Sequence, residues 1–75
     1  MKNILVIGST GQIGSELTRE LRKIYGGSHV VAGYIKGAEP KGELLEGGPA
    51  AEADVTNAEM IASVVRQYQI DTIYN

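Results

Sequence analysis

Within fourteen residues, ILVIGSTGQIGSEL at 4–17, the chain changes from one backbone period to another. Ile4, Leu5, Val6 and Ile7 form an unbroken apolar run rich in β-branched residues. A strand buried on both faces has this pattern, and such strands belong to parallel sheets covered by helices. From Ile13 onward the period is helical: Ile13, Leu17, Leu21 and Ile24 recur on one face, with Glu16, Arg19, Glu20, Arg22 and Lys23 largely on the other. Gly8, Gly11 and Gly14 lie at the junction. A chain that goes from a doubly buried strand through a glycine turn into an amphipathic helix is building a layered sheet with crossover connections.

The remainder repeats this alternation. Gly26 and Gly27 end the first helix, as a left-handed C-terminal cap would. HVVAGYI, 29–35, is a second β-rich run. Residues 36–49 hold four glycines and two prolines and read as a loop, long for a compact domain, with Leu44 and Leu45 to pin it locally. AAEAD, 50–54, is a short third strand by context alone, since alanine is a poor strand former. TNAE, 56–59, has the form of a capping box in which Thr56 and Glu59 satisfy each other's amides. Ile61, Val64, Val65 and Tyr68 then mark the buried face of a second helix, and DTIYN begins another strand. The order β-α-β, loop, β-α-β predicts an α/β fold with a parallel sheet and right-handed crossovers.

Seventy-five residues make at most one domain, with a core that is only marginally stabilising. There is no cysteine, so neither a disulfide nor a thiolate metal site supplements it. The formal charge of −2 and the lack of a basic stripe argue against a nucleic-acid partner. The longest apolar run is too short to span a membrane, and Lys2 with that run does not make a signal peptide. A soluble, cytoplasmic protein with no membrane partner is the expectation.

The glycines have a chemical reading. The first amides of a helix lack intrahelical partners and point outward, where the helix dipole adds partial positive charge. A pyrophosphate is stabilised there by both. Gly8 allows a tight turn out of the strand, Gly11 lets a ligand approach the backbone, and Gly14 lets the helix pack closely on the sheet. The spacing is GxxGxxG, one residue longer in its first gap than G-x-G-x-x-G, but the strand before, helix after and second strand within about 30 residues are the right setting. The alternative is a strand-to-helix turn without a ligand. Gly11 favours the ligand, because it has no packing duty that alanine could not perform.

On these residues the chain resembles the extended short-chain dehydrogenase/reductase superfamily, which includes nucleotide-sugar epimerases and dehydratases. With GQIGSEL, LRKIYG, VVAGYIK, ADVTN and IDTIYN, it is similar to the short-chain type of NAD-dependent L-threonine 3-dehydrogenase over nearly its whole length. The resemblance implies the first half of a Rossmann fold. It implies that the turn from Gly8 to Gly14, including Thr10, binds the pyrophosphate, with the amides of Gln12 and Ile13 as donors. It places Asp54 and Val55 beside the adenine, where a carboxylate can accept from the exocyclic amine; the plainer reading of Asp54 is a turn or capping acid. The cofactor implied is NAD, the substrate of the complete enzyme is a small molecule, and the complete enzyme is expected to be a homodimer.

The pattern breaks in two places. An acid usually ends the second strand and holds the ribose 2′-hydroxyl, about 20 residues past the glycines. Here Gly33 and Tyr34 stand in that position, and no acid appears until Glu39. Lys36, close by, could neutralise a 2′-phosphate, so both NAD and NADP stay open. Tyr34 either stacks or hydrogen-bonds near the adenosine or is a partly buried strand residue. Secondly, the superfamily uses a Tyr with a Lys four residues on as acid/base and support, and a general acid must reach the proton it moves. None of Tyr25, Tyr34, Tyr68 and Tyr74 is followed by that Lys. The chain therefore reads as the N-terminal, cofactor-binding part of a larger enzyme, itself inactive. No GxSxG pattern or metal-ligand spacing is present, His29 reads as a surface or edge residue, and Ser9 and Thr10 are placed either to donate to phosphate or to cap the helix. Three readings stand: a threonine dehydrogenase, a sugar-nucleotide epimerase or dehydratase, and a non-catalytic dinucleotide-binding module.

Overall fold

The computed structural model describes residues 2–75. Four strands, β1 (Ile4–Ile7), β2 (Val30–Tyr34), β3 (Ala50–Glu52) and β4 (Thr72–Tyr74), form one sheet in the order β3-β2-β1-β4. Every pairing is parallel, with Ile4 opposite Val30 and Thr72, and Ala32 opposite Ala50. The first strand is thus internal, and the strand order reverses beside it.

The period-two alternation of β1 sorts its side chains between two cores. Ile4 and Val6 pack with Val30 and with Leu17 and Leu21 of helix α1 (Gln12–Tyr25). Leu5 and Ile7 pack with Val31, Ala53, and Ile61, Val64 and Tyr68 of helix α3 (Ala58–Tyr68). Helices therefore cover both faces, as the continuous apolar run requires. The α/β arrangement and the β-α-β, loop, β-α-β order match the expectation from sequence.

Several local expectations are corrected. Of the four residues expected on the buried face of α1, only Leu21 is buried and Leu17 partly so, while Ile13 and Ile24 are 82% and 68% exposed. The helix meets the sheet through its middle, so its end residues overhang, and the buried side turns to include Thr18 and Arg22. Burial of Arg22 is offset by three hydrogen bonds: Nε donates to the Val30 carbonyl at 3.2 Å, and the two terminal nitrogens to the Leu44 and Pro49 carbonyls at 2.6 and 2.8 Å. Gly26 has positive φ but extended ψ (96°, 142°), so it is not a left-handed cap, and Gly27 enters a 3-10 turn that ends at His29. The 36–49 segment contains one helical turn, α2 (Glu43–Glu46), with Leu44 buried and Leu45 exposed. The capping box does not form: Asn57 alone caps α3, its Oδ1 accepting from the Met60 amide at 3.1 Å, while the Thr56 hydroxyl donates to Asp54. A carboxylate is the stronger acceptor for that hydroxyl.

Candidate functional site

The glycine turn joins β1 to α1 at the carboxyl ends of the strands. Gly8 has φ of +76°, a conformation that L side chains rarely adopt. Ser9 is fully buried, and both its amide and its hydroxyl donate to the Gly33 carbonyl, at 3.0 and 2.9 Å. It thus ties the turn to β2, and neither donates outward nor caps the helix. At Gly14 a Cβ would overlap the Gly8 carbonyl oxygen, so the fold itself demands glycine. Gly11 differs. Its backbone is extended (φ −73°, ψ 168°), and a Cβ there would meet only the Gly8 oxygen at 3.4 Å, an ordinary contact. The fold leaves room for a side chain at Gly11, and the sequence does not use it.

The N-terminus of α1 is bare in a second sense. No side chain caps it, and its first turn holds no acid. Two of the nearby hydroxyls are committed elsewhere: Ser9 to Gly33, and Ser15 to the Gln12 carbonyl at 3.1 Å. By contrast α3 has Asn57 as its cap and Glu59 in its first turn. The orphan amides at the start of α1 are therefore free to meet an anion. Pyrophosphate fits this donor set and the space above Gly11.

Gly8, Gly11, Gln12, Ile13 and Gly14 share one groove of about 480 Å³ with Leu17 and the β4 end, Tyr74 and Asn75. It lies at the β1/β4 side, where the strand order reverses, which is where ligands of open α/β sheets bind. Thr10 lines a different cleft, with Ser15, Arg19 and Glu39. Tyr34 is half-buried at the end of β2, and Lys36 is exposed in the turn that follows. Asp54 lies just past β3. Its Oδ1 accepts from the Thr56 hydroxyl at 2.7 Å and amide at 2.9 Å, and these bonds, the hydroxyl first, hold its carboxyl below the usual range. Val55 is 56% exposed beside it. Because all strands are parallel, these residues share the carboxyl edge of the sheet with the glycine turn, but Tyr34, Lys36, Asp54 and Val55 line neither cleft.

The model of the NAD dependent epimerase/dehydratase family matches residues 4–75. The chain belongs to the NAD-dependent epimerase/dehydratase family. Among curated members of this family, an uncharacterized epimerase/dehydratase of Staphylococcus haemolyticus is 38% identical over 74 residues, covering 97% of this chain and 23% of its own. Among solved structures, L-threonine dehydrogenase from Clostridium difficile superposes with a TM-score of 0.80 at 40% identity, over 97% of this chain and 23% of that one. A GalE-like L-threonine dehydrogenase from Cupriavidus necator, in its holo form, gives 0.83 at 30% identity over 96% of this chain and 22% of that one. The chain thus spans under a quarter of the length of these family members and corresponds to their N-terminal Rossmann-like portion. A nicotinamide dinucleotide is the cofactor that the family implies.

Sequence reading missed the tether made by Ser9, the burial of Arg22 and the cleft bounded by Glu39. The first depends on a carbonyl 24 residues away and the second on carbonyls 8, 22 and 27 residues away, which no local pattern encodes. Among the described residues no group of three His, Cys, Asp or Glu could hold a metal, and no helix is long and apolar enough to cross a membrane.

Proposed function

We propose that this chain is the dinucleotide-binding portion of an L-threonine 3-dehydrogenase. The observation that carries this reading is the uncapped helix start beside a Gly11 whose missing side chain the fold does not require. The amides of Gln12 and Ile13 hold the pyrophosphate, with Gly8, Thr10 and Gly14 shaping the turn. Asp54 and Val55 lie towards the adenine, and Tyr34 towards the adenosine. When bound, the nicotinamide supplies a hydride acceptor for oxidation of the threonine 3-hydroxyl to 2-amino-3-oxobutanoate. The similarity to threonine dehydrogenases at 30–40% identity supports this substrate. The residues present hold and orient the cofactor; no tyrosine among them has the lysine four residues on that the acid/base step uses.

A second reading, a nucleotide-sugar epimerase or dehydratase, is favoured by the description of the staphylococcal relative. Titration of the 75-residue chain with NAD⁺, followed by amide NMR, tests the shared part. Shifts centred on Gly11, Gln12 and Ile13 are expected, and Gly11→Ala is expected to weaken binding by about tenfold or more while leaving the spectrum folded. Unmoved amides would remove the binding reading. Addition of L-threonine with NAD⁺ is expected to give no NADH absorbance from this chain alone; a rise would overturn its inactivity. Turnover of L-threonine against a nucleotide sugar, by a longer product of the same reading frame, separates the two substrates.

A further inference from the structure

The strand-end acid that NAD-binding domains use for the ribose is absent from β2, where Gly33 and Tyr34 occupy its place. The backbone beyond Tyr34 reverses at once. The Ala38 amide donates to the Ile35 carbonyl at 3.0 Å, and Gly37 has φ of +94°. This turn returns Glu39 towards the strand end, and its Oε2 accepts from the Gly37 amide at 3.0 Å. Pro40 next to it is buried, and Arg22 fixes the farther part of the segment through the Leu44 and Pro49 carbonyls. Glu39 is therefore an exposed side chain on an anchored backbone.

The anchored segment forms one wall of a cleft of about 350 Å³. Thr10 of the glycine turn, with Ser15 and Arg19 of α1, forms the other. This cleft meets the glycine turn at Thr10 and shares no lining residue with the groove that runs to β4. Its charged residues balance, Arg19 and Lys41 against Glu39 and Glu43, so it offers no cationic excess to a phosphate that carries about −1.5 to −2. Lys36 is exposed and does not line it.

Resting on the reading of the glycine turn as a dinucleotide site, we propose that Glu39 replaces the missing strand-end acid: its carboxylate accepts from the adenosine ribose hydroxyls and repels a 2′-phosphate, which makes the site selective for NAD over NADP. Two features of Glu39 suit it to this. An ionised carboxylate has acceptor capacity on both oxygens and donates nothing. The Gly37 amide, followed by the residue's own amide and then Lys41, holds the carboxyl below its ordinary range.

The test is a pair of NMR titrations of the 75-residue chain, with NAD⁺ and with NADP⁺, for the wild type, Glu39→Gln and Glu46→Gln. Glu46→Gln removes the same charge from an exposed position outside the cleft. The wild type is expected to bind NAD⁺ about tenfold or more tightly than NADP⁺. Glu39→Gln is expected to reduce that ratio to within about threefold, and Glu46→Gln to preserve it. NAD⁺ is also expected to shift the Gly37 amide, which reports the Glu39 carboxylate directly. If NAD⁺ shifts the Gly11–Ile13 amides but Glu39→Gln leaves the ratio unchanged, or NADP⁺ binds the wild type as well as NAD⁺ does, this inference is overturned and the dinucleotide reading survives. If neither nucleotide shifts any amide, both fall.

Discussion

Gly11 and Gly14 are three residues apart in one motif, yet they are glycine for different reasons, and stability measurements separate them. A methyl at position 14 would collide with the Gly8 carbonyl, a backbone atom that cannot move aside alone. Gly14→Ala is expected to destabilise the chain by about 1–3 kcal/mol in urea unfolding. Gly11→Ala is expected to leave stability within about 1 kcal/mol, since the backbone there suits alanine. Equal losses in the two variants would contradict the assignment of Gly11 to a ligand. Arg22 is the other residue whose identity the fold fixes. Replacing it with Met keeps the apolar stem but removes the guanidinium donor from the Val30, Leu44 and Pro49 carbonyls, of which Pro49 keeps the Ala32 amide. A loss of about 1–3 kcal/mol is expected, with faster amide exchange across 39–48 than across β1.

At the scale of elements, two aspartates fasten the ends of strands and helices. Asp54 closes the turn into α3 through Thr56. Asp71 accepts from the Thr72 hydroxyl at 2.7 Å and the Asn3 amide at 3.0 Å, which joins β4 to the start of β1. Both carboxyls are held below the ordinary aspartate range in the folded chain, Asp54 by the Thr56 hydroxyl and amide, and Asp71 by the Thr72 hydroxyl first and then the Asn3 amide. A depressed folded value means that the contribution is present above the unfolded value and lost as pH falls through the folded one. The urea midpoint is therefore expected to fall on acidification below about pH 4, and Asp54→Asn with Asp71→Asn to flatten that dependence. An unchanged slope in the double variant would show that these bonds do not set the acid limit. Asn57→Ala, which removes the cap of α3, is expected to cost about 1 kcal/mol at any pH.

For the whole molecule, the sheet has two edges among the described residues, β3 and β4, and they differ. The β4 edge adjoins the groove of the glycine turn, and it carries Ile73 at 46% exposed. Unpaired backbone beside exposed apolar side chains invites pairing with another chain. Sedimentation of the chain is expected to show concentration-dependent association that Ile73→Lys suppresses. A wild type that stays monomeric at high concentration would contradict this.

The apolar run at Ile4–Ile7, the change of period after it and the glycines between them were enough to specify an α/β parallel sheet and to single out the helix start as the candidate anion site. Each of those signals is local, because strand and helix periods and the needs of a tight turn are written in neighbouring residues. The tertiary structure decided what depends on distant partners. It turned α1 so that Arg22 rather than Ile24 went inward, because three carbonyls from β2 and the 36–49 segment converge there. It moved the cap of α3 from Thr56 to Asn57, because Asp54 took the hydroxyl. It folded the glycine-rich segment back beside the glycine turn, which put Glu39 across a cleft from Thr10. Periodicity records which residues share a face; it cannot record which distant backbone groups need a partner, and here that need placed Arg22 and the loop it holds.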